Sequence, residues 1–330
     1  MKPPDSTRAV AIGIGVVVLQ ALMVIAFAWP AVRTDPRDVP LVVAGPEAAA
    51  VAVSDRLTRE RPGAFDIERV ADEPAAREAL TDRDAYGAIV VGPSGPRVLV
   101  ASAASPVLAQ QLGQLAQQLS GAPVAAAHDV VPADSDDPRG AGFAAMVLPL
   151  VMSGLAAAGL LTLLVSSVAW RAVGVLVFAV LGGFAGVALA QGWLSLLPGS
   201  YLAVSAAVAL GIFAVTATVA GLSVVIGRAG LGLGALTMLL LGNPLSAAAS
   251  APELLPEPWG AIGQALPPGA TVSLLRSVAF FDGAAAGGPL TVLLVWSAAA
   301  IALFAAGALK GGRARTPAPT TPDLDLVPSH

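Results

Sequence analysis

Cysteine is absent from this chain, and histidine occurs only at His128 and His330. Disulfides and thiolate metal sites are thereby excluded, and two imidazoles are too few for a zinc cluster. Charge is scarce too: Asp, Glu, Lys and Arg make up 12% of 330 residues, against 56% hydrophobic. With a mean hydropathy of +0.77, this excludes an ordinary soluble domain and points to an integral membrane protein. No GxxxxGK[ST] phosphate cradle occurs, so any ATP hydrolysis belongs to a separate polypeptide. The formal net charge of -4 leaves no basic footprint for nucleic acid. No cofactor is expected.

What is present is a set of apolar runs, measured against the ~20 residues a helix needs to cross the hydrocarbon. Six spans are read: Ala9 to Trp29, Phe143 to Val168, Ala172 to Gln191, Tyr201 to Ile226, Ala229 to Ala249 and Pro289 to Leu309. Most of the charge falls between the first two. The expected fold is an α-helical polytopic membrane protein of six transmembrane helices, with an extracytoplasmic α/β domain inserted between the first and the second. In segments, 1–29 holds the N-terminus and first helix, 30–141 the α/β domain, and 142–310 a five-helix membrane domain. Residues 250–288 form an outer re-entrant segment, and 311–330 a disordered cytoplasmic tail.

Orientation follows from the basic residues near helix ends, which cytoplasmic flanks retain. Lys2, Arg8, Arg171, Arg228, Lys310, Arg313 and Arg315 all fall on one side if both termini are cytoplasmic. The short loops of the other side contain only Arg276. The preference for Arg over Lys, with abundant Ala, Gly and Pro, suggests a GC-rich bacterial genome and hence a bacterial cell membrane. Ala26-Phe27-Ala28 resembles a signal-peptidase site. The long apolar run before it and the bulky Trp29 after it favour an uncleaved anchor.

Within 30–141, β-branched runs alternate with helix-forming segments: a strand over Pro40 to Ala44, a helix over Glu47 to Arg61, a strand over Asp66 to Val70 and a helix over Glu73 to Leu80. Tyr86 to Val91 and Arg97 to Ala101 read as a hairpin about Pro93-Ser94-Gly95. Ser105-Pro106 opens a helix, and Val124 to Val131 returns as a strand. Asp134, Asp136 and Asp137 match no EF-hand spacing and read as a solvated linker. His128 reads as a surface or packing residue, and no nucleophile has a recognisable partner, so the chain is not expected to be an enzyme.

The membrane part is defined by an absence as well. From Phe143 to Ala249 there is no Asp, Glu, Lys or His. Ion- and proton-coupled transporters place such groups at mid-membrane, so coupling of that kind is disfavoured. Gly182 and Gly186 stand at GxxxG spacing, which reads as close packing within the chain more readily than as a dimer seam. An uncharged bundle suits amphipathic or lipid-like cargo and contact with membrane lipid.

The apolar run of the fifth span is broken by Asn243-Pro244, and five more prolines precede Gly269. Proline removes a helix donor and clashes with the preceding turn, so this stretch must leave the bilayer or turn back within it. Asn243 is expected to supply hydrogen bonds to backbone that Pro244 leaves unpaired. Gly242-Asn243-Pro244-Leu245-Ser246, then Pro252-Glu253-Leu254-Leu255-Pro256, then Leu266-Pro267-Pro268-Gly269-Ala270 resemble the outer re-entrant segment of type-two ABC exporter permeases. More narrowly, the chain is similar to the phage-infection-protein-like membrane proteins, to which Tyr86 to Val91 and Val100 to Pro106 also conform. The resemblance implies a half-transporter that forms a homodimer, or a heterodimer with a similar permease, and works with a separate ATP-binding subunit. Asn243, Pro244, Pro252, Pro256, Pro267, Pro268 and Arg276 are then candidate re-entrant or gating residues. Ser167, Trp170 and Arg171 mark a candidate ATPase-facing turn. The alternative is a non-transporting scaffold or receptor whose extracytoplasmic domain binds partners.

Overall fold

A computed structural model describes residues 4–93, 95–120 and 127–313. Five of its helices are long and apolar enough to cross a membrane: α1 (Asp5–Ala31), α5 (Ala141–Leu164), α6 (Val168–Gly192), α7 (Tyr201–Ile226) and α11 (Gly287–Arg313), the last through Leu309. The chain is thus a mostly helical membrane protein carrying a small α/β domain between its first and second long helices.

That domain holds β1 (Val39–Ala44), α2 (Glu47–Glu60), β2 (Phe65–Val70), α3 (Glu73–Thr81), β3 (Gly87–Gly92), β4 (Gly95–Val100), α4 (Pro106–Ser120) and β5 (His128–Asp129). The five strands lie in the order β2-β1-β3-β4-β5, with only β3 and β4 antiparallel. The side-chain period of two divides the sheet into faces. Leu41, Val43, Ile89, Val98 and Val100 pack against Leu57 of α2 and Leu112 of α4. Val42, Ala44, Ala88, Val90 and Leu99 face Ala76 and Leu80 of α3 and, from far along the chain, Phe281. The expected return strand is only His128 and Asp129 at the sheet edge. Its part over 124–126, like Ser94 of the expected turn, lies outside the described residues.

The aspartates before α5 are structural in part. Asp137 is buried, and its carboxylate accepts from the backbone amide of Phe143 at 2.8 Å, while Asp134 accepts from the amide of Asp136 at 2.9 Å. Asp137 thereby satisfies one of the orphan donors at the start of α5.

In the membrane part α7 is the hub, buried along most of its length. Small residues let its neighbours approach. A Cβ at Gly183 would lie 2.8 Å from the Ala209 backbone, and one at Gly307 would lie 1.9 Å from the Val224 side chain. The GxxxG pair on α6 also turns inward, Gly182 towards Ile212 and Phe178, Gly186 towards Leu150. Helix α1, by contrast, is apolar and almost wholly exposed along its span.

The sequence places a fifth span over 229–249, and here the structure differs. α8 (Arg228–Leu236) runs into a π-turn (Thr237–Gly242), where the Asn243 amide bonds to the Met238 carbonyl at 3.0 Å. Pro244 has no amide to continue the ladder. At ~1.5 Å per residue the stretch is about 22 Å long, short of the ~30 Å hydrocarbon core. The expected role of the Asn243 side chain is also corrected. It makes no capping bond; its backbone carbonyl instead accepts from the amide and hydroxyl of Ser246, at 3.2 and 2.7 Å.

Beyond that break, short turns at Pro244–Ser246 and Pro252–Leu254 lead into a helical hairpin of α9 (Trp259–Gln264) and α10 (Pro267–Phe280). Thr271 of α10 packs on Gly211, well inside α7, whereas Val278 and Ala279 lie against Gly199, just before α7 begins. The hairpin therefore dips along α7, with its tip at 265–267 deepest and Pro268 pressed on Gly242. Trp296, some three turns into α11, donates from Nε1 to the Ala265 carbonyl at 2.9 Å and fixes that tip.

Candidate functional site

Between the α/β domain, the hairpin and the start of α11 lies a cavity of about 750 Å³. Its polar side comes from the domain and the segment before the hairpin, through Arg37, Arg83, Tyr86 and Glu253. Its apolar side comes from Leu255, Ala261 and Ala265 near α9 and from Pro289 and Val292 of α11. Such a space is amphipathic by construction, with charge at one wall and hydrocarbon at the other.

The wall is built by docking the domain onto the segment before and within the hairpin. Val39 and Leu108 of the domain pack with Ala251 and Leu254, and Phe281 enters the sheet's own core. Polar bonds then set the register. The Arg37 amide donates to the Glu253 carbonyl at 3.0 Å, and its guanidinium to the Leu254 carbonyl at 3.2 Å. The Tyr86 hydroxyl donates to Glu253 Oε2 at 2.8 Å. Arg83 reaches α10, donating to the Ser273 carbonyl at 3.0 Å and the Ser277 hydroxyl at 2.5 Å, with its guanidinium 5.2 Å from the Phe281 ring centre. The Arg83 backbone has φ 63, a left-handed conformation costly for a residue with a Cβ. It is retained where α3 turns towards β3, and it aims the side chain at α10.

Burial, reinforced by the Glu253 carboxylate, pushes the Tyr86 phenol well above its ordinary value, so it stays protonated and donating. A phenol shifted upward contributes stability below its unfolded value near pH 10 and loses it above. Tyr86→Phe is expected to weaken the docking by roughly 1 to 3 kcal/mol, because it leaves a partly buried carboxylate oxygen without its donor. Hydrogen exchange over 251–255 reads this directly: faster exchange in the variant while β1 and β3 stay protected is the expected result.

Of the residues singled out in the sequence, Pro252 and Arg276 line the cavity. Arg276 is 5% exposed. It donates to the carbonyls of Ala247, Ala248 and Ser250 at 3.4, 2.6 and 3.2 Å, and its guanidinium sits 4.9 Å from the Phe143 ring centre. Pro256 supplies the carbonyl that the Trp259 amide bonds. Asn243, Pro244, Pro267 and Pro268 lie around the break and the hairpin tip and do not line the cavity. Ser167, Trp170 and Arg171 lie at the far end of the bundle. There the Ser167 hydroxyl accepts from the Trp170 amide, Arg171 Nε donates to the Val165 carbonyl, and Trp170 is exposed.

Sequence reasoning missed Arg37, Arg83, Tyr86 and Glu253 as site residues. Their partners lie far away along the chain, and no local spacing announces such pairs. Four buried hydroxyls in the bundle, Ser205, Thr216, Thr218 and Ser297, have no hydrogen-bond partner among the described residues. Compared with family models, curated proteins and solved structures, the chain matches none.

Proposed function

We propose that the chain is the membrane subunit of an ABC-type exporter that moves an amphipathic or lipid-like molecule outward, powered by a separate ATP-binding subunit. The observation that carries this reading is the amphipathic cavity between domain and hairpin. It is large enough for a head group with part of an alkyl chain, and it sits beside helices that carry no Asp, Glu, Lys or His from Phe143 to Ala249 to couple ions. In this reading both termini are cytoplasmic, the α/β domain is outside the bacterial cell membrane, and the hairpin dips into the outer leaflet. Arg228–Gly242 then makes the fifth of six crossings, its short length completed by the turns that follow. Two such subunits, identical or related, form the working unit.

The partner is tested by purification in mild detergent, which is expected to recover a P-loop protein whose ATP hydrolysis responds to this chain. Recovery of none, with every phenotype of this protein intact after deletion of a neighbouring ATPase gene, overturns the exporter. The absence of native cysteine makes orientation easy to test, because Asp82 and Ser166 are both exposed. Asp82→Cys is expected to react with an impermeant thiol reagent in intact cells, and Ser166→Cys only after permeabilisation. The reverse pattern inverts the topology.

One observation favours a second reading. Only Val165, Ser166 and Ser167 link α5 to α6, which leaves no helix there to seat an ATPase. A membrane receptor or scaffold, with the α/β domain as its partner-binding surface, needs no such seat.

A further inference from the structure

Buried cations are normally matched by carboxylates, because an unmatched charge away from water is strongly disfavoured. Around the cavity Arg276 breaks this rule, and the half-buried Arg83 lacks a carboxylate partner as well. Arg276 is 5% exposed and bonds only to neutral carbonyls. Arg83 bonds only to a carbonyl and a hydroxyl. Neither makes an ion pair among the described residues. The carboxylate facing both from within the wall is Glu253, and one of its oxygens is already taken by Tyr86. Asp38 and Glu257 also border the cavity, but both are exposed and solvated. The inner wall therefore carries one buried and one half-buried guanidinium group against one shared carboxylate, facing a space whose other side is mostly apolar, with Gln264 its polar exception.

We infer that the cavity takes an amphiphile with an anionic head group, a phosphate or a carboxylate, lodged against Arg83 and Arg276 with its alkyl chain along Ala261, Ala265 and Val292. The inference rests on the reading of the cavity as the cargo site and narrows the class of that cargo. A guanidinium is the side chain best shaped for either oxyanion, offering paired donors in a plane. Burial lowers the Arg83 pKa, as expected of a cation that lacks a full counter-charge. The Arg37 guanidinium, already bonded to Leu254 and beside Asp35, flanks the same wall.

The test uses the full chain in nanodiscs of zwitterionic lipid, with empty discs subtracting bulk partitioning. Binding of octyl phosphate, octyl glucoside and octyltrimethylammonium is compared by equilibrium dialysis, with inorganic phosphate as a fourth probe. Octyl phosphate is expected to bind saturably and at least about tenfold more tightly than the other two alkyl probes, as charge-assisted bonds imply. Arg83→Gln is expected to remove that preference and Arg83→Lys to keep most of it. If Arg83→Gln disturbs docking, Ala265→Phe gives a second handle, since it fills the apolar floor without touching an arginine. It is expected to abolish binding of all three alkyl probes. Equal binding of the three, still blocked by Ala265→Phe, overturns the anionic class and leaves the amphiphile cavity standing. Inorganic phosphate binding as tightly as octyl phosphate overturns the amphiphile in favour of a free anion. No saturable binding of any probe removes both this inference and the reading beneath it.

Discussion

Replacing Gly263 by valine is expected to unseat the hairpin, at about 3 kcal/mol or more, the upper range for overpacking in a closed interior. A Cβ at this position would lie 1.9 Å from the Leu245 carbonyl oxygen and 2.7 Å from its carbon. Both atoms are backbone, so no side-chain rotation relieves the clash. The same construction recurs nearby: a Cβ at Gly269 would meet the Gly263 carbonyl at 2.2 Å, and one at Gly260 the Pro252 carbonyl at 2.3 Å. The hairpin is thus held by backbone against backbone at three glycines, and one branched side chain separates the layers. Thermal unfolding in mild detergent should show a large fall in Tm, together with new protease sensitivity over 244–266. Gly159→Ala in α5 is the control. Nothing lies within 4 Å of its Cβ position, and alanine in a helix interior is worth about 0.5 to 1 kcal/mol over glycine. An equal loss in both variants would show that the hairpin glycines are not special.

Arg276→Met is expected to cost about 2 to 3 kcal/mol through two opposed effects. Three carbonyls, those of Ala247, Ala248 and Ser250, lose their donor, at about 1 kcal/mol each by the usual net value. The contact with Phe143 is lost as well. Against this, a buried cation disappears, and replacing buried charge by an apolar side chain of similar volume is often neutral or better. The carbonyls decide the sign, because methionine supplies them with nothing. Arg276→Lys should fall between, since one ammonium reaches fewer of these acceptors than a planar fork. A Met variant as stable as the parent would mean that water already serves the 247–250 loop and that the arginine has no structural part.

Much of the architecture was legible because it rests on local patterns. The β-branched run over Pro40 to Ala44 becomes β1, and the helix read over Glu73 to Leu80 becomes α3, where Asp72 accepts from the Ala75 amide at 3.1 Å. The long apolar runs yield α1 and the four long helices of the bundle, α5, α6, α7 and α11, directly. The fifth bundle run failed at one residue. Composition stays apolar past Pro244, so a hydropathy window runs on to Ala249, whereas the hydrogen-bond ladder stops at the Asn243 amide. The prolines of 252–268 correctly foretold a broken segment. They did not foretell that it is the seat of the α/β domain, because Phe281 joins that domain's core from nearly 200 residues away. The site was the least legible part. Arg83 and Tyr86 look like ordinary loop and strand residues until α10 and Glu253 are brought beside them, and only Arg276 and Pro252 had been singled out beforehand.

The central claim is that an amphiphile occupies the space under the domain. Photo-crosslinking tests it most directly: an octyl phosphate carrying a diazirine near its head group is activated with the full chain in nanodiscs, and the adducts are mapped by peptide mass spectrometry. The account predicts adducts concentrated in 252–265 and 285–292 and around Arg83, and their loss in Ala265→Phe. Adducts spread over the exposed apolar faces of α1, α5 and α6 in proportion to their exposure, and unchanged by Ala265→Phe, would contradict it.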